Sequence, residues 1–462
     1  MTQVRVGSSF RDPSGFLFTR DGTLQRQVQP SFAPHYDHLK TSGLYDALVA
    51  QSLLIPHDEL GPESALMPGA YQVLRPELIP VVSFPYEWCF SQLKAAASLT
   101  LRIQEMAIAH GMTLKDASAF NVQFRGTSPV FVDTLSFARL EEGQPWVAYR
   151  QFCQHFLAPL SLQALVDVRL RALQREFLDG VPLDFASRLL PASSWLRPWA
   201  LAHIHLHARA IARFASATDV KALPARRVSR QGLAALVSHL RRAIDSLDWS
   251  PGTTEWADYE STHGYSGHAH RAKHQIVEQL LQQIRPRRVL DLGANAGEYS
   301  RTARALGAEV IAIDGDPSAV ERAYRKLAAE GEPGILPLWV DLTNPGPSHG
   351  WAHAEWPALS DRVQSDVLLA LALIHHLAIG NNVPLVDVAD FFARLAPRVI
   401  VEWVPKDDPQ VQRLLVSRDD VFGDYSEDHF GEAFGRRFTL ERREPVGGSG
   451  RILYSFVAHA RR

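Results

Sequence analysis

One stretch constrains this chain more than any other: "RRVLDLGANAGEYS", Arg287 to Ser300, together with the pattern that follows it. From there to the end, short apolar runs alternate with amphipathic ones: "RRVLDLG", "EYSRTARALG", "AEVIAIDGD", "PSAVERAYRKLAAEG", "ILPLWVDL", "SDVLLALAL", "VPLVDVADFFARLA" and "RVIVEWV". Nearly uninterrupted apolar strands between helices predict a parallel sheet covered on both faces, and "FTLERREPV" with "RILYSFVAH" predicts an antiparallel pair at its end. In such a sheet a ligand sits beyond the strand carboxyl ends, where the first strand turns into the first helix. Gly293 and Gly297 leave bare backbone there, while Asp291 and Glu298 bring negative charge. A pyrophosphate needs free helix N-terminal N–H groups without nearby anions, and "GANAG" lacks the G-x-G-x-x-G spacing of dinucleotide sites. The chemistry favours a ligand with positive charge and an amino acid end.

A second acid, Asp314 in "IAIDGD", ends the next strand about twenty residues on, where a carboxylate can grip ribose hydroxyls. Asp341 in "LWVDL" follows the third strand, where it can accept from an adenine amino group. An adenosine that carries an amino acid is S-adenosylmethionine. Val289 to Ser300, with Asn295 where a glycine is often found, and Asp314 and Asp341 with this strand order, resemble the class I S-adenosylmethionine-dependent methyltransferases. The resemblance covers about residues 273–462 and implies a Rossmann-like domain. It implies that Asp291, Gly293 and Gly297 hold the amino acid end, that Asp314 holds the ribose, and that Asn295 and Asp341 belong to the same cofactor site. A nucleotide oxidoreductase or a catalytically dead scaffold is the alternative. Methyl transfer needs alignment and, for a hydroxyl or amine acceptor, a base. His375 and His376 in "LALIHHLAIGNN", and Glu402 in "RVIVEWVPKDDP", fall at the rim and are the candidates. Packing is the competing role for the histidines. Asp407 and Asp408 read as solvated loop acids.

At 462 residues the chain is long for one core. A break in composition at "DWSPGTTEWADYESTHGYSGHAH" puts a boundary near Pro251, giving an α+β domain over 1–250 and a lid or linker over 251–272. Trp256, Tyr259, Tyr265 and Lys273 are candidates for a lid over the cofactor, and the histidines among them read as solvated, since their spacing is not that of a metal site. Within 1–250, hairpin chemistry at Asp21-Gly22 predicts a small β lobe to about residue 86, followed by a helical lobe over 87–250. "GMTLKDASAFN" and "FVDTLSF" place Asp116, Asn121 and Asp133 in the order of a kinase's base and two metal ligands. This half resembles a kinase fold, which implies Mg-ATP as a second cofactor. It departs from that pattern at Lys115-Asp116 and Asp133-Thr134-Leu135, it lacks a glycine-rich loop, and Arg26 stands where a strand lysine is expected.

The charge balance, 48 Lys plus Arg against 50 Asp plus Glu, gives a net charge of -2 and predicts no nucleic acid partner. Cys89 and Cys153 are too few for a disulfide framework or a cysteine metal site, and no apolar run is long enough to span a membrane. Both facts lead to the expectation of a cytoplasmic protein. Almost end to end, through "PYEWCFSQLKAAASLTLRIQ", "GMTLKDASAFN", "FVDTLSF", "PWVAYRQFCQHFLAPL" and "VLDLGANAGEYS", the chain also resembles a bacterial family of nodulation-protein-like methyltransferases. The leading expectation is a methyltransferase acting on a glycan or small-molecule hydroxyl, with the N-terminal domain recognising the acceptor. The alternatives are a bifunctional kinase and methyltransferase, and a regulatory protein that binds S-adenosylmethionine without turnover.

Overall fold

The computed structural model describes residues 3–215, 227–252, 267–416 and 419–459. They form two compact units, one of Met1–Ser250 with Ser348–Pro357, the other of Pro251–Pro347 with Ala358–Arg462. The sequence reading kept 273–462 whole, so the return of a ten-residue segment to the first unit is new.

The first unit opens with five strands, β1 (Gln3–Arg5), β2 (Gly15–Arg20), β3 (Thr23–Val28), β4 (His57–Glu59) and β5 (Gln72–Pro76), all antiparallel in the order β1-β2-β3-β5-β4. Asp21 and Gly22 take φ of +48° and +78°, so both central residues of the β2–β3 turn are left-handed, as its tight twist requires. Alternation then sorts side chains by face. Phe16, Phe18 and Val73 form one buried cluster, and Val28 and Leu74 join Phe32, Tyr36 and Leu135 in another.

A long apolar helix, Phe90–Ala109, follows and ends where Gly111 adopts φ +71°. Four short strands, β6 (Met112–Leu114), β7 (Val122–Arg125), β8 (Ser128–Phe131) and β9 (Phe137–Arg139), pair as β6–β9 and β7–β8 and fix the loops bearing Asp116, Asn121 and Asp133. Beyond them the unit is helical. The run "SLQALVDVRLRALQREFLDG" is not one helix: the Asp167 carboxylate accepts from the Arg169 N–H at 2.8 Å, and the chain passes into a 3-10 turn over Val168–Ala172.

The second unit is a seven-stranded sheet of β10 (Arg288–Leu292), β11 (Glu309–Asp314), β12 (Ile335–Trp339), β13 (Val367–Ala370), β14 (Arg398–Trp403), β15 (Phe438–Pro445) and β16 (Ile452–Ala458). Its order is β12-β11-β10-β13-β14-β16-β15. The first five strands are parallel, and β16 runs antiparallel to β14 and β15. Almost every residue of β10 to β14 is buried, because helices cover both faces. At the edge, β15 shows water a charged run, Glu441 to Glu444, which deters pairing with another chain. Local chemistry sets the helices too. Asp316 caps Pro317–Glu330, accepting from Ser318 N–H at 2.7 Å, with proline at the first helical position and Gly331 left-handed at the end.

Candidate functional site

At the carboxyl end of β10 the chain turns through three left-handed residues, Gly293 (φ +74°), Asn295 (φ +48°) and Gly297 (φ +82°), into the helix Glu298–Ala305. Asparagine tolerates this conformation, which explains how Asn295 stands in for a glycine. The loop is laid on β11: Gly293 and Ala294 N–H both donate to the Ile313 carbonyl, at 2.8 and 3.0 Å. The Asn295 N–H donates to Asp314 Oδ2 at 2.8 Å, and Asp316 N–H donates to Oδ1 at 2.8 Å. Two backbone donors thus fix the Asp314 carboxylate and leave acceptor capacity on both oxygens. Confinement at the strand ends pushes its pKa up.

Asp291 is buried, 3% exposed, and accepts from Ser300 Oγ at 2.6 Å. Burial pushes its pKa from the ordinary 3.8 to about 6; the Ser300 bond pulls the other way, Asp314 adds a push, and Lys273 opposes it. The bare loop and the two acids fit a ligand with ribose hydroxyls and a cationic end, as S-adenosylmethionine has. Asp341 lies two residues past β12 and is exposed; its Oδ1 accepts from Thr343 N–H at 2.9 Å and Thr343 Oγ1 at 2.7 Å.

The rim residues divide. The His375 ring is fully buried, neither nitrogen has a hydrogen-bond partner among the described residues, and burial holds it neutral, its pKa well below the ordinary 6.5. His376 packs on it at 4.0 Å between ring centroids, with its pKa lowered by burial to about 4. Glu402 is fully buried in β14, its Oε2 2.7 Å from Lys273 Nζ and its Oε1 3.6 Å from Arg451. Arg451 in turn grips Asp408 with two bonds, at 2.7 and 3.1 Å. Several expectations are corrected here. Lys273 is no lid residue but a buried cation on the helix Gly267–Ile284. Asp408 is no solvated acid but an ion-pair partner and the cap of Pro409–Leu415. His270 and His274 are not loop histidines: they tie that first helix to Glu298 at 3.0 Å and Thr302 at 2.9 Å. Trp256, Tyr259, Tyr265 and His263 lie outside the described residues. Sequence reasoning missed Arg451, whose surroundings "GSGRILY" carry no signal, and Ser300, whose place in the first turn of the helix after the loop was the available signal.

In the first unit Asp116, Asn121 and Asp133 do come together. Asp116, Asp133 and the Asn121 amide lie within reach of one another; desolvation, then the Asp133 charge, push the Asp116 pKa up. Ser136 Oγ bridges the other two, accepting from Asn121 Nδ2 at 3.1 Å and donating to Asp133 Oδ2 at 2.5 Å. From β3, Arg26 pairs with Asp133 at 2.8 Å and with Asp12 at 2.7 Å. A guanidinium therefore sits on the acid expected to take magnesium, and the Mg-ATP expectation has no support in this geometry. Among the described residues, no group of three or more His, Cys, Asp or Glu is placed to hold a metal ion, and no helix is long and apolar enough to cross a membrane.

A parallel sheet with its antiparallel sixth and seventh strands, acids at the ends of β10 and β11 and a left-handed glycine loop between strand and helix define a domain of the Rossmann-like class I methyltransferase fold. The whole chain is 35% identical over 458 residues to nodulation protein NoeA of Rhizobium meliloti (strain 1021), a match spanning 98% of this chain and 96% of that protein, and it belongs to the NoeA family. No protein-family model matches it. Among solved structures, WbdD superposes with a TM-score of 0.32 at 16% identity, over 47% of this chain and 46% of that one. The N-methyltransferase NodS from Bradyrhizobium japonicum WM9 does so with a TM-score of 0.32 at 14% identity, over 42% of this chain and 98% of that one.

Proposed function

We propose that the protein methylates a glycan or small-molecule hydroxyl, with the second unit holding S-adenosylmethionine and the first recognising the acceptor. The observation that carries the reading is Asp314: two backbone N–H groups orient its carboxylate beside a loop stripped of side chains. Asp291, buried and short of compensating charge, suits a cationic amino acid end. When bound, the cofactor supplies an activated methyl group.

This chain's own residues then orient and exclude. His375 and His376 stay neutral at pH 7; burial that lowers the His376 pKa to about 4 leaves its ring able to accept a hydrogen bond from a hydroxyl but makes it a weak base. Of the two, His376 is partly exposed and can reach an acceptor, whereas His375 is fully buried and packs beneath it. Glu402, tied to Lys273 and Arg451, supports the rim from beneath and does not act as the base.

The test is to incubate the purified protein with methyl-labelled S-adenosylmethionine and fractionated extract of its host, and count label in glycan, lipid, protein and small-molecule pools. Label in the glycan or small-molecule pool, lost in Asp314→Ala, is the expected result. Cofactor binding without label in any pool refutes the enzymatic reading.

A further inference from the structure

The first unit carries a half-open cavity of about 1500 Å³ whose lining has seven carboxylates against four cationic side chains. Three of those cations are already engaged. Arg26 holds Asp12 and Asp133, Lys115 donates to Ser14 Oγ at 2.5 Å, and Arg11 pairs with Glu355, its Nη2 3.2 Å from Oε2. A phosphate chain entering here meets more acids than cations, and Arg150 alone among the lining cations is not engaged with an acid or hydroxyl among the described residues, so a neutral ligand fits better.

The segment Ser348–Pro357 shapes one wall. Gly350, Ala352 and His353 all have positive φ, and the His349–Trp356 bridge closes the segment into a knot, with N–H to carbonyl distances of 2.9 and 3.2 Å. A Cβ on Gly350 would lie 2.0 Å from Glu355 Oε2, so the turn requires glycine. Trp356 anchors the knot, stacked on Phe120 at 4.3 Å and edge-on to Phe84 at 5.5 Å. Trp351 is held on the cavity wall with 72% of its surface in water. A large aromatic displayed so openly on a cavity wall marks a surface that something covers.

The same cavity lining offers acceptors, Glu176, Asp179 and Gln154 among them. Asp179 lies near enough to act on Arg11, and Glu176 on His349, so both acids flank the knot. A sugar ring matches this pairing. Its C–H face is apolar and covers an indole, its hydroxyls donate to carboxylates and amides, and it adds no charge to an acid-rich site.

We propose that this cavity binds a neutral oligosaccharide, with one ring stacked on Trp351 and hydroxyls donating to the flanking carboxylates. The inference deepens the acceptor-recognition reading above and rests on it, but binding is read without methyl transfer, so the two can fail separately.

The experiment is to titrate the full chain with maltopentaose, chitopentaose and mannopentaose in turn, following tryptophan fluorescence and heat, with tripolyphosphate and Mg-ATP as comparators. At least one sugar should bind with a Kd below about 1 mM, and Trp351→Ala should weaken it by about tenfold or more. Trp351→Phe should restore part of the loss, with thermal stability and S-adenosylmethionine binding unchanged in both variants. No sugar binding at about 10 mM, an unaffected Trp351→Ala, or tighter binding of tripolyphosphate or Mg-ATP than of every sugar would overturn the assignment. Sugar binding without methyl label in the glycan pool leaves the cavity assignment standing and removes the glycan as methyl acceptor.

Discussion

Asp314 and Asp291 share one neighbourhood but serve different ends. Replacing Asp314 by Ala removes both acceptor oxygens and strands the N–H groups of Asn295 and Asp316; S-adenosylmethionine affinity should fall by about a hundredfold, a loss of about 2–3 kcal/mol measurable by calorimetric titration. Asp291 should make that affinity depend on pH. Its pKa is raised by burial, so it is neutral in acid and ionises near pH 6, and only the ionised form attracts a cationic ligand end. Affinity should therefore rise with pH through about 6 and level off above, and Asp291→Asn should flatten the curve. The stability of the ligand-free protein runs the other way. A folded pKa above the ordinary 3.8 favours the fold while the group is protonated and is lost as pH rises through about 6. Asp291→Asn should thus gain stability at pH 7 and none at pH 3, a difference that urea melts at the two pH values would record. Glu402 belongs to another class: it is the buried acid facing Lys273 and Arg451, so Glu402→Ala removes the carboxylate from a buried charge cluster and should cost about 3 kcal/mol in the same melts.

Elements formed from neighbouring residues could be read from the sequence, because their causes are local. The Asp21-Gly22 turn needs two left-handed residues in succession and has them; the helix Pro317–Glu330 carries its own cap, starting proline and terminal glycine. Asp316→Ala should therefore cost about 1 kcal/mol, seen as a lower urea midpoint with an unchanged slope. Distant partnerships left no such trace. Lys273, Glu402 and Arg451 meet from a helix, a strand and the turn before β16, far apart in the chain, and each alone resembles a surface charge. The linker histidines misled for a related reason: Gly, Ser and aromatic composition spoke for a loop, whereas Ala269, Val277, Leu280 and Leu281 at helical spacing pack the sheet and set a helix from Gly267.

At the scale of the molecule, the parallel sheet with its antiparallel end was legible because the alternation of strands and helices, unlike a distant ion pair, persists over the whole second half. The assignment of Ser348–Pro357 to the first unit was not, since its anchors Phe84 and Phe120 lie hundreds of residues upstream. Replacing 348–357 with a Gly-Ser linker should leave S-adenosylmethionine binding intact and lower the first unit's melting temperature by about 4–10 °C, as lost aromatic packing and the Arg11–Glu355 pair together predict. Differential scanning calorimetry with and without cofactor would separate the two transitions. The segment also bears on how such a chain can be recombined. A single crossover near Pro251 exchanges the second half together with the knot, so a chimera receives a donor plug in a host cavity wall. Only partners whose Phe84, Phe120 and Arg11 equivalents accept that plug can be spliced there without loss.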